Sequence, residues 1–575
     1  MVQHQPPLLL FFLLLLTPVG ACRLVMDIPD GPSGLCNPDG VLEVGELCDG
    51  DQLGTAACSD YGFSGGTLVC RENCTLDSSG CGGTCGDGRL DAQFEACEGD
   101  FLQGHTCESV GHYPGTLTCS ASCQFDTSAC GGSCGDGLLQ PEQEPCDGLN
   151  LGTLTCRDDG KFFGAVACGA TCALDSTFCS DTELWGTPGL EIGTAVTVTA
   201  DGSLFVTGPT NGTMPGQSPK GGTDLYLTHY DAGGHFVWTR QWGSPANDIG
   251  SGVRVDASGN IYVSGAVTGT LDGQTSQGGE DLILSKFDAL GNHLWSRQWG
   301  SPGDDQSTGV ALDAAGNAYV TGYVAGALLG QAHSGADDTF LLKVNAEGEI
   351  VWARQWGSAA TDSGYAVTVD PSGSIYVAGR TDGNLDGQIN QGQADAFLTK
   401  FDADGNKAWT RSWGSVDEER GVGVTTDVDG NIYITGYTDG AIDGLPLSGG
   451  DDATLTKYEP GGMRLWSRQW GTPGEDRGVG VAVDTVGHVC ITGHANGDLD
   501  GQTYHGLDDV FLTCYTTDGT KLWSRQWGTP LIDRGIGLAM DAAGDLFITG
   551  YTESTLNGRA NAGLYDIFLL YVSAF

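Results

Sequence analysis

Positive charge is scarce in this chain: 25 Lys and Arg stand against 73 Asp and Glu in 575 residues, a formal net charge of −48. That balance argues against nucleic acid, which needs a basic face, and against anionic lipid surfaces. Long apolar runs are missing as well. The run Leu8 to Leu16 is nine residues, too short for a membrane-spanning helix. The ten His are scattered without metal-ligand spacing, and no His-Glu-x-x-His motif occurs, so no site of the zinc-peptidase type is expected. What the chain does have is glycine (94), tryptophan (13) and cysteine (21). A disordered acidic chain would lack that tryptophan and the regular apolar pattern around it.

The short apolar run and the small residues after it fit an export signal over residues 1–21. Val19-Gly20-Ala21-Cys22 resembles a bacterial lipobox, which implies lipidation of Cys22 at the head of a tether, 22–35. Plain cleavage after Ala21 is the other reading. Cysteine parity favours lipidation: 18 of the 21 fall between Cys36 and Cys179, Cys490 and Cys514 form a distant pair, and Cys22 is left over. The only membrane contact expected is through that lipid. The setting is then the outer membrane or cell surface, with Arg23 leaning towards the outer membrane by resemblance to lipoprotein sorting. Without the lipid it is periplasmic or secreted.

The 18 cysteines form three sets repeating at 49 residues. Cys36, Cys48, Cys58, Cys70, Cys74 and Cys81 lie in the first unit (36–84). Cys85, Cys97, Cys107, Cys119, Cys123 and Cys130 lie in the second (85–133), and Cys134, Cys146, Cys156, Cys168, Cys172 and Cys179 in the third (134–180). Six cysteines per unit allow three internal disulfides in any of 15 pairings. Zinc is the rival, but the gaps lack Cys-x2-Cys pairs and no His recurs from unit to unit. Each unit is too poor in large apolar residues for a core of its own, so disulfides are expected. Cys85-Gly86-Asp87-Gly88 with Glu95-Ala96-Cys97, and its counterpart at Cys134 to Cys146, resemble the cysteine-rich repeats of bacterial surface proteins, which implies an extracellular spacer.

From Asp181 the period becomes 57. Trp-Gly recurs at Trp185, Trp242, Trp299, Trp356, Trp413, Trp470 and Trp527, and six further Trp precede it by four residues. Each unit carries four strand signals; in the second these are 252–255, 261–263, 282–287 and 293–299. Asp256-Ala257-Ser258-Gly259-Asn260 and Asp288-Ala289-Leu290-Gly291-Asn292 supply hairpin turns between them. Four antiparallel strands per repeat is a propeller blade. The last unit ends after three strands, and Thr182-Glu183-Leu184-Trp185 is a spare fourth. The expectation is all-β: a seven-bladed propeller over 181–575 with three-plus-one closure, which removes an open sheet edge. The runs Asp256 to Gly265, Asp313 to Gly322 and Asp395 to Lys400 resemble the bacterial β-propeller repeat SBBP, which implies the fold and an exported setting but no single activity.

Tight hairpins occupy one propeller face, so longer loops and function are expected on the other. That face carries Glu191, Asp248, Asp305, Asp362, Glu419, Asp476 and Asp533, six residues after each Trp-Gly tryptophan. These are the candidate ligand-binding acids. A second series, Asp224, Asp281, Asp338, Asp395, Asp452, Asp509 and Asp566, precedes each third strand. Read as architecture, the acids cap turns and pair with Arg240, Arg297, Arg354, Arg411, Arg468 and Arg525. Read as sites, they form a ring that admits calcium; no other cofactor is expected. Asp402 to Asn406 and Asp427 to Asn431 mimic calcium loops but fall on hairpin turns and lack the closing Glu. His488, His494, Tyr504 and His505 break the repeat in the sixth unit, where Cys490 and Cys514 face each other as an expected cross-strand disulfide. The functional expectation is an exported binding module whose loop-bearing face takes protein or glycan. The alternatives are a lyase or glycosidase near the sixth blade, and a structural envelope component.

Overall fold

The computed structural model describes residues 48–49, 51–72 and 74–573. The expected signal peptide, the tether, Cys22 and Cys36 lie outside the described residues. Among the described residues no helix is long and apolar enough to cross a membrane. The chain forms two compact bodies: one extends to Asn150 and includes Ala170–Cys172, the other holds Leu151–Gly169 and the chain from Ala173.

The first body is built by sulfur more than by apolar contact. In the second unit Cys85 pairs with Cys123, Cys97 with Cys119 and Cys107 with Cys130. First joins fifth, second joins fourth and third joins sixth, one of the 15 open pairings. The same rule gives Cys48–Cys70, Cys58–Cys81 and Cys134–Cys172, and Cys156–Cys179 in the second body. Cys74, Cys146 and Cys168 are also disulfide-bonded. The recurring acids have a turn-building task. Glu98 accepts the N–H groups of Gly86 and Gly88 at 2.9 and 2.8 Å, and Asp147 those of Gly135 and Gly137 at 2.5 and 2.7 Å. Gly86 and Gly88 have φ of +93° and +81°, a backbone path that lets successive amides converge on one carboxylate. Glu98 with Cys85 and Cys123, and Glu144 with Cys134 and Cys172, form compact Cys/Glu groups. Their sulfurs are locked in disulfides, which carry no thiolate charge for a metal. This disulfide content places the protein in an oxidising compartment, extracellular or periplasmic.

The second body contains seven four-stranded antiparallel sheets, six of them drawn from consecutive strands. In the second blade the strands are Asp248–Val255, Ile261–Val267, Asp281–Phe287 and His293–Trp299. The seventh sheet combines Asp533–Met540, Leu546–Thr552 and Asp566–Val572 with Thr182–Trp185, in a register running from Ile567↔Trp185 to Leu570↔Thr182. The three-plus-one closure is therefore present. Innermost strands start four residues ahead of the position legible from alternation, at Asp248 rather than Gly252. A β-bulge between Gly250 and Gly252 breaks the period of two there, and it recurs in the third to seventh blades. Each bulge extrudes one residue: Ser251, Thr308, Tyr365, Val422, Val479 or Ile536, and all six line the axial channel.

Neighbouring blades are tied by wedged rings. The indole of Trp242 packs on Phe287 of the next blade at 4.8 Å, Trp356 on Phe401 at 5.0 Å and Trp470 on Tyr515 at 5.3 Å. The repeated arginines do not reach the acids. Arg297, Arg354, Arg411 and Arg468 each donate Nε to a carbonyl of the next blade's outer hairpin, at 3.0, 2.6, 2.9 and 2.7 Å. Arg354 meanwhile lies 5.1 Å over Trp352. Gly405, the carbonyl partner of Arg354, has φ +77°, and a Cβ there would stand 2.9 Å from the Trp352 ring. Both the backbone and the contact require glycine.

Within four blades a tyrosine faces a lysine across two strands: Tyr262↔Lys286, Tyr319↔Lys343, Tyr376↔Lys400 and Tyr433↔Lys457. The ammonium lies 4.8 to 5.2 Å over each ring. In the sixth blade this pair is replaced by Cys490↔Cys514, which forms the expected cross-strand disulfide. The two solutions occupy one slot, so they are interchangeable only as pairs. Either variant breaks the disulfide, at a cost of about 2 kcal/mol or more; the double variant Cys490→Tyr with Cys514→Lys should recover about 1 kcal/mol of that through a cation over the ring, and Cys490→Tyr alone should not. Thermal melts of the two variants check this; equal losses would refute it.

The third cysteine unit also contributes to this body. Phe162 and Phe163, each 1% exposed, join a core of Val196, Leu204, Tyr230, Phe547 and Tyr571. Arg157 lies 4.7 Å over the Phe162 ring and reaches Asp541 at 3.4 Å and Asp545 at 3.7 Å, in a hairpin of the seventh blade.

Candidate functional site at the loop-bearing channel mouth

The candidate acids lie at the seven blade junctions, and all of them are buried. Glu191, Asp248, Asp305, Asp362, Glu419, Asp476 and Asp533 show no exposed surface. Asp248 accepts from Ser244 N–H at 2.6 Å and from Ser244 Oγ at 2.8 Å; Asp533 does the same with Thr529 at 2.6 and 2.8 Å. The second acid series is equally buried. Asp281 accepts from Gln277 N–H at 2.8 Å and Gln298 Nε2 at 2.7 Å. The two series meet across the Trp-Gly glycine. At Gly186, Gly243, Gly300, Gly357, Gly414 and Gly471 a Cβ would lie 3.0 Å or less from an oxygen of each acid. That explains the invariant glycine within this chain, and it makes each junction a buried carboxylate pair. Burial, against hydrogen bonds that oppose it, raises Asp248, Asp395, Asp476 and Asp533 to about 6. Asp305, Asp362 and Asp566 also rise, burial again being the main cause.

Accessible chemistry on this face comes from a different column of residues. The position after each ring acid and its cross-strand partner are Ile192/Pro209 in the first blade and Ile249↔Ala266 in the second. In the later blades they become Gln306↔Tyr323, Ser363↔Arg380, Arg420↔Tyr437, Arg477↔His494 and Arg534↔Tyr551. The result is a crescent of guanidinium, phenol and imidazole on blades three to seven, next to the extruded Tyr365. Acids from adjacent strands hold the arginines. Arg477 Nε meets Asp451 at 2.5 Å and Arg534 meets Asp508 at 2.7 Å, each across a blade junction. Arg380 meets Asp382 at 2.7 Å and Glu418 at 3.2 Å, and Arg420 also pairs with Glu418. The Tyr437 ring lies between Arg477 and Arg420, 4.7 and 5.5 Å from their guanidinium carbons.

The phenols and the imidazole have fixed protonation. Burial pushes the Tyr437 phenol up to about 12, although Arg420 and Arg477 pull the other way. Burial also lifts Tyr323 to about 12, reinforced by Glu280 and Asp337. Both phenols stay protonated at neutral pH. His494 is 6% exposed; burial first, then Arg534 and Arg477, hold its imidazole far below the ordinary value, against Asp508. It is neutral, and its Nδ1 has no hydrogen-bond partner. Of the four residues that break the repeat in the sixth unit, His494 belongs to the crescent. His505 bonds the junction acid Asp509 at 3.2 Å, and Tyr504 donates to Leu507 O at 2.8 Å. His488 lies apart, on the hairpin turn of Asp484 at 2.7 Å. The sequence signal for the crescent is a column that differs among units (Ile, Ile, Gln, Ser, Arg, Arg, Arg) while its neighbours repeat.

Comparison with known proteins agrees with this architecture. The family described as beta-propeller repeat, SBBP, matches residues 294–324 and 351–386. The regulatory protein FlaEY of Caulobacter vibrioides is 26% identical over 386 residues, covering 58% of this chain and 39% of that protein. An uncharacterised WD repeat-containing protein of Acanthamoeba polyphaga mimivirus is 21% identical over 438 residues, covering 58% of this chain and 32% of its own length. The chain thus spans well under half of each relative. Among solved structures, a PL25 ulvan lyase bound to a disaccharide repeat is 11% identical with a TM-score of 0.41, over 68% of this chain and 96% of that one. The Pan2 WD40 domain of Neurospora crassa is 9% identical with a TM-score of 0.38, over 66% and 89%. Neither score bears on what this chain binds. By architecture the chain is a seven-bladed propeller protein preceded by disulfide-rich units, with a match to the SBBP repeat in two segments of the propeller.

Proposed function

We propose that this is an exported binding protein whose propeller takes a protein or glycan partner on the loop-bearing channel mouth. In this reading the disulfide-braced units act as a spacer and Cys22 as a lipid anchor. One observation carries it: the mouth is where the repeats cease to be equivalent. Architecture shared by seven blades needs identical residues, whereas a single partner needs residues that occur once. The arginine and tyrosine cluster of Arg380, Arg420, Tyr437, Arg477, Arg534 and Tyr551 is confined to four of the seven blades. Half-buried arginine and tyrosine, held by acids and by each other, are the side chains that contribute most at recognition surfaces. They also suit the hydroxyls and acidic groups of a glycan. A lyase or glycosidase is less well supported, because an imidazole held far below neutrality is a poor general base.

A glycan and protein array, probed with the mature protein with and without calcium, tests the reading. Saturable binding should fall at least tenfold in Arg477→Ala and Tyr437→Ala and survive in His494→Ala. Turnover of a bound glycan that is lost in His494→Ala would move the assignment to an enzyme. Retention of full binding in both crescent variants would overturn the site. An unmodified Cys22 in the mass spectrum of the N-terminal peptide would remove the anchor.

A further inference from the structure

The axial channel encloses about 340 Å³, within the range of small-molecule sites. Its lining is not sevenfold. A ring of aliphatic side chains, including Val196, Val310, Val367, Val424, Val481 and Leu538, runs round most of it, but at the bulge position blades one to four present Thr194, Ser251, Thr308 and Tyr365 and blades five to seven Val422, Val479 and Ile536. At that position one wall is polar and the other aliphatic. Close approach of the innermost strands keeps the channel narrow: a Cβ on Gly480 would stand 3.0 Å from Ile536 O, and one on Gly537 3.0 Å from the Ala195 Cα.

Arg254 is the one charged residue of that lining. Other units carry Thr197, Ala311, Thr368, Thr425, Ala482 and Ala539 at its position, so the blade does not need an arginine there. Its hydrogen bond goes to the adjacent Val253 carbonyl, at 2.8 Å. Among the described residues no carboxylate pairs with it, although the chain carries almost three acids for every base. Its side chain is exposed to the channel. A guanidinium facing a channel without an acid retains donors arranged for a bidentate oxyanion.

We propose that the axial channel is a binding site for an amphipathic monoanion, with its carboxylate-like head on Arg254 and its aliphatic body against the valine wall of blades five to seven. Arg254 lies outside the crescent, and the site does not depend on the partner proposed there. Two attractions act on different parts of one ligand, so neither a bare anion nor an uncharged chain should match their combination.

Equilibrium dialysis of the full mature chain against octanoate, 1-octanol and acetate tests it. Octanoate should bind saturably at one per chain, with octanol at least tenfold weaker and acetate undetected at the same concentrations. Arg254→Ala should lower octanoate affinity tenfold or more and leave octanol unchanged. That variant copies the residue of three sibling blades, so its melting temperature should match the parent. Arg477→Ala should leave octanoate binding intact, which separates the channel from the crescent. Absence of saturable octanoate binding, or undiminished binding in Arg254→Ala, would overturn the site.

Discussion

The melting temperature of the propeller should fall as pH rises through about 6, by on the order of 5 °C or more between pH 5 and pH 8. Each blade junction buries two carboxylates beside one glycine. Two anions at that separation inside protein cannot both ionise without compensation. One oxygen of Asp362, Asp452, Asp533 and Asp566, all raised by burial, is buried without a hydrogen-bond partner, and a shared proton would supply one. For Asp248, Asp395, Asp476 and Asp533, raised to about 6 in the fold, the folded state holds more protons than the unfolded state between about pH 4 and pH 6. The slope of unfolding free energy with pH is therefore negative there. The stabilisation is complete below the unfolded value and is lost as pH climbs through the folded one.

Turn aspartates act in a different window. Asp313 and Asp370 lie below the ordinary carboxylate value, where bonds from their own turns outweigh burial. Their contribution is present above the unfolded value and is lost only in stronger acid. The stability profile should therefore be a dome with its maximum between the two windows. Asp452→Asn removes one ionisation at the junction of Asp452 and Asp476 and should shallow the alkaline limb. A melting temperature that is flat or rising from pH 5 to pH 8 would refute the shared-proton account. If calcium restored the loss at pH 8, the junctions would be cation sites instead, as the exposed-acid reading of the sequence expected.

Repetition made most of this fold legible. A period of 57 sets the blade number, the Asp-Gly turns set the hairpins, and the unfinished last unit sets the closure. The disulfide pairing was not legible, because spacing constrains which cysteines share a unit but not which sulfurs meet. Burial of the ring acids was also hidden. Asp248 sits in a polar stretch, Gly-Ser-Pro-Ala-Asn-Asp, that reads as an exposed loop, and only the bulge after Gly250 turns its carboxylate inward. These acids repeat in every unit. Arg420, Arg477 and Arg534 occupy a column where the units disagree, and in a repeat protein such a column is the more informative signal.

Phe162→Ala should destabilise the propeller by about 3–5 kcal/mol, although the residue belongs to a cysteine-rich unit. Its ring lies 4.9 Å from Phe547 and stacks at 5.3 Å on Tyr571, two residues of the seventh blade. That blade is closed by four residues, Thr182–Trp185. Asn557 helps from within the blade by donating to Thr182 Oγ1 at 2.8 Å, and Arg559 by donating to Thr182 O at 3.2 Å. A four-residue strand is the weakest seam in a ring whose other outer strands run seven. Phe162, Phe163 and Arg157 brace the blade immediately beside it. Losing that brace should open the seam before the other blades, as faster amide exchange at 182–185 and 566–572. Phe178→Ala changes a phenylalanine of the same cysteine-rich unit that is 70% exposed, and it should leave both melting and exchange unchanged. A Phe162→Ala protein that melts with the parent, or whose exchange rises uniformly around the ring, would show that the propeller closes without help from the third unit.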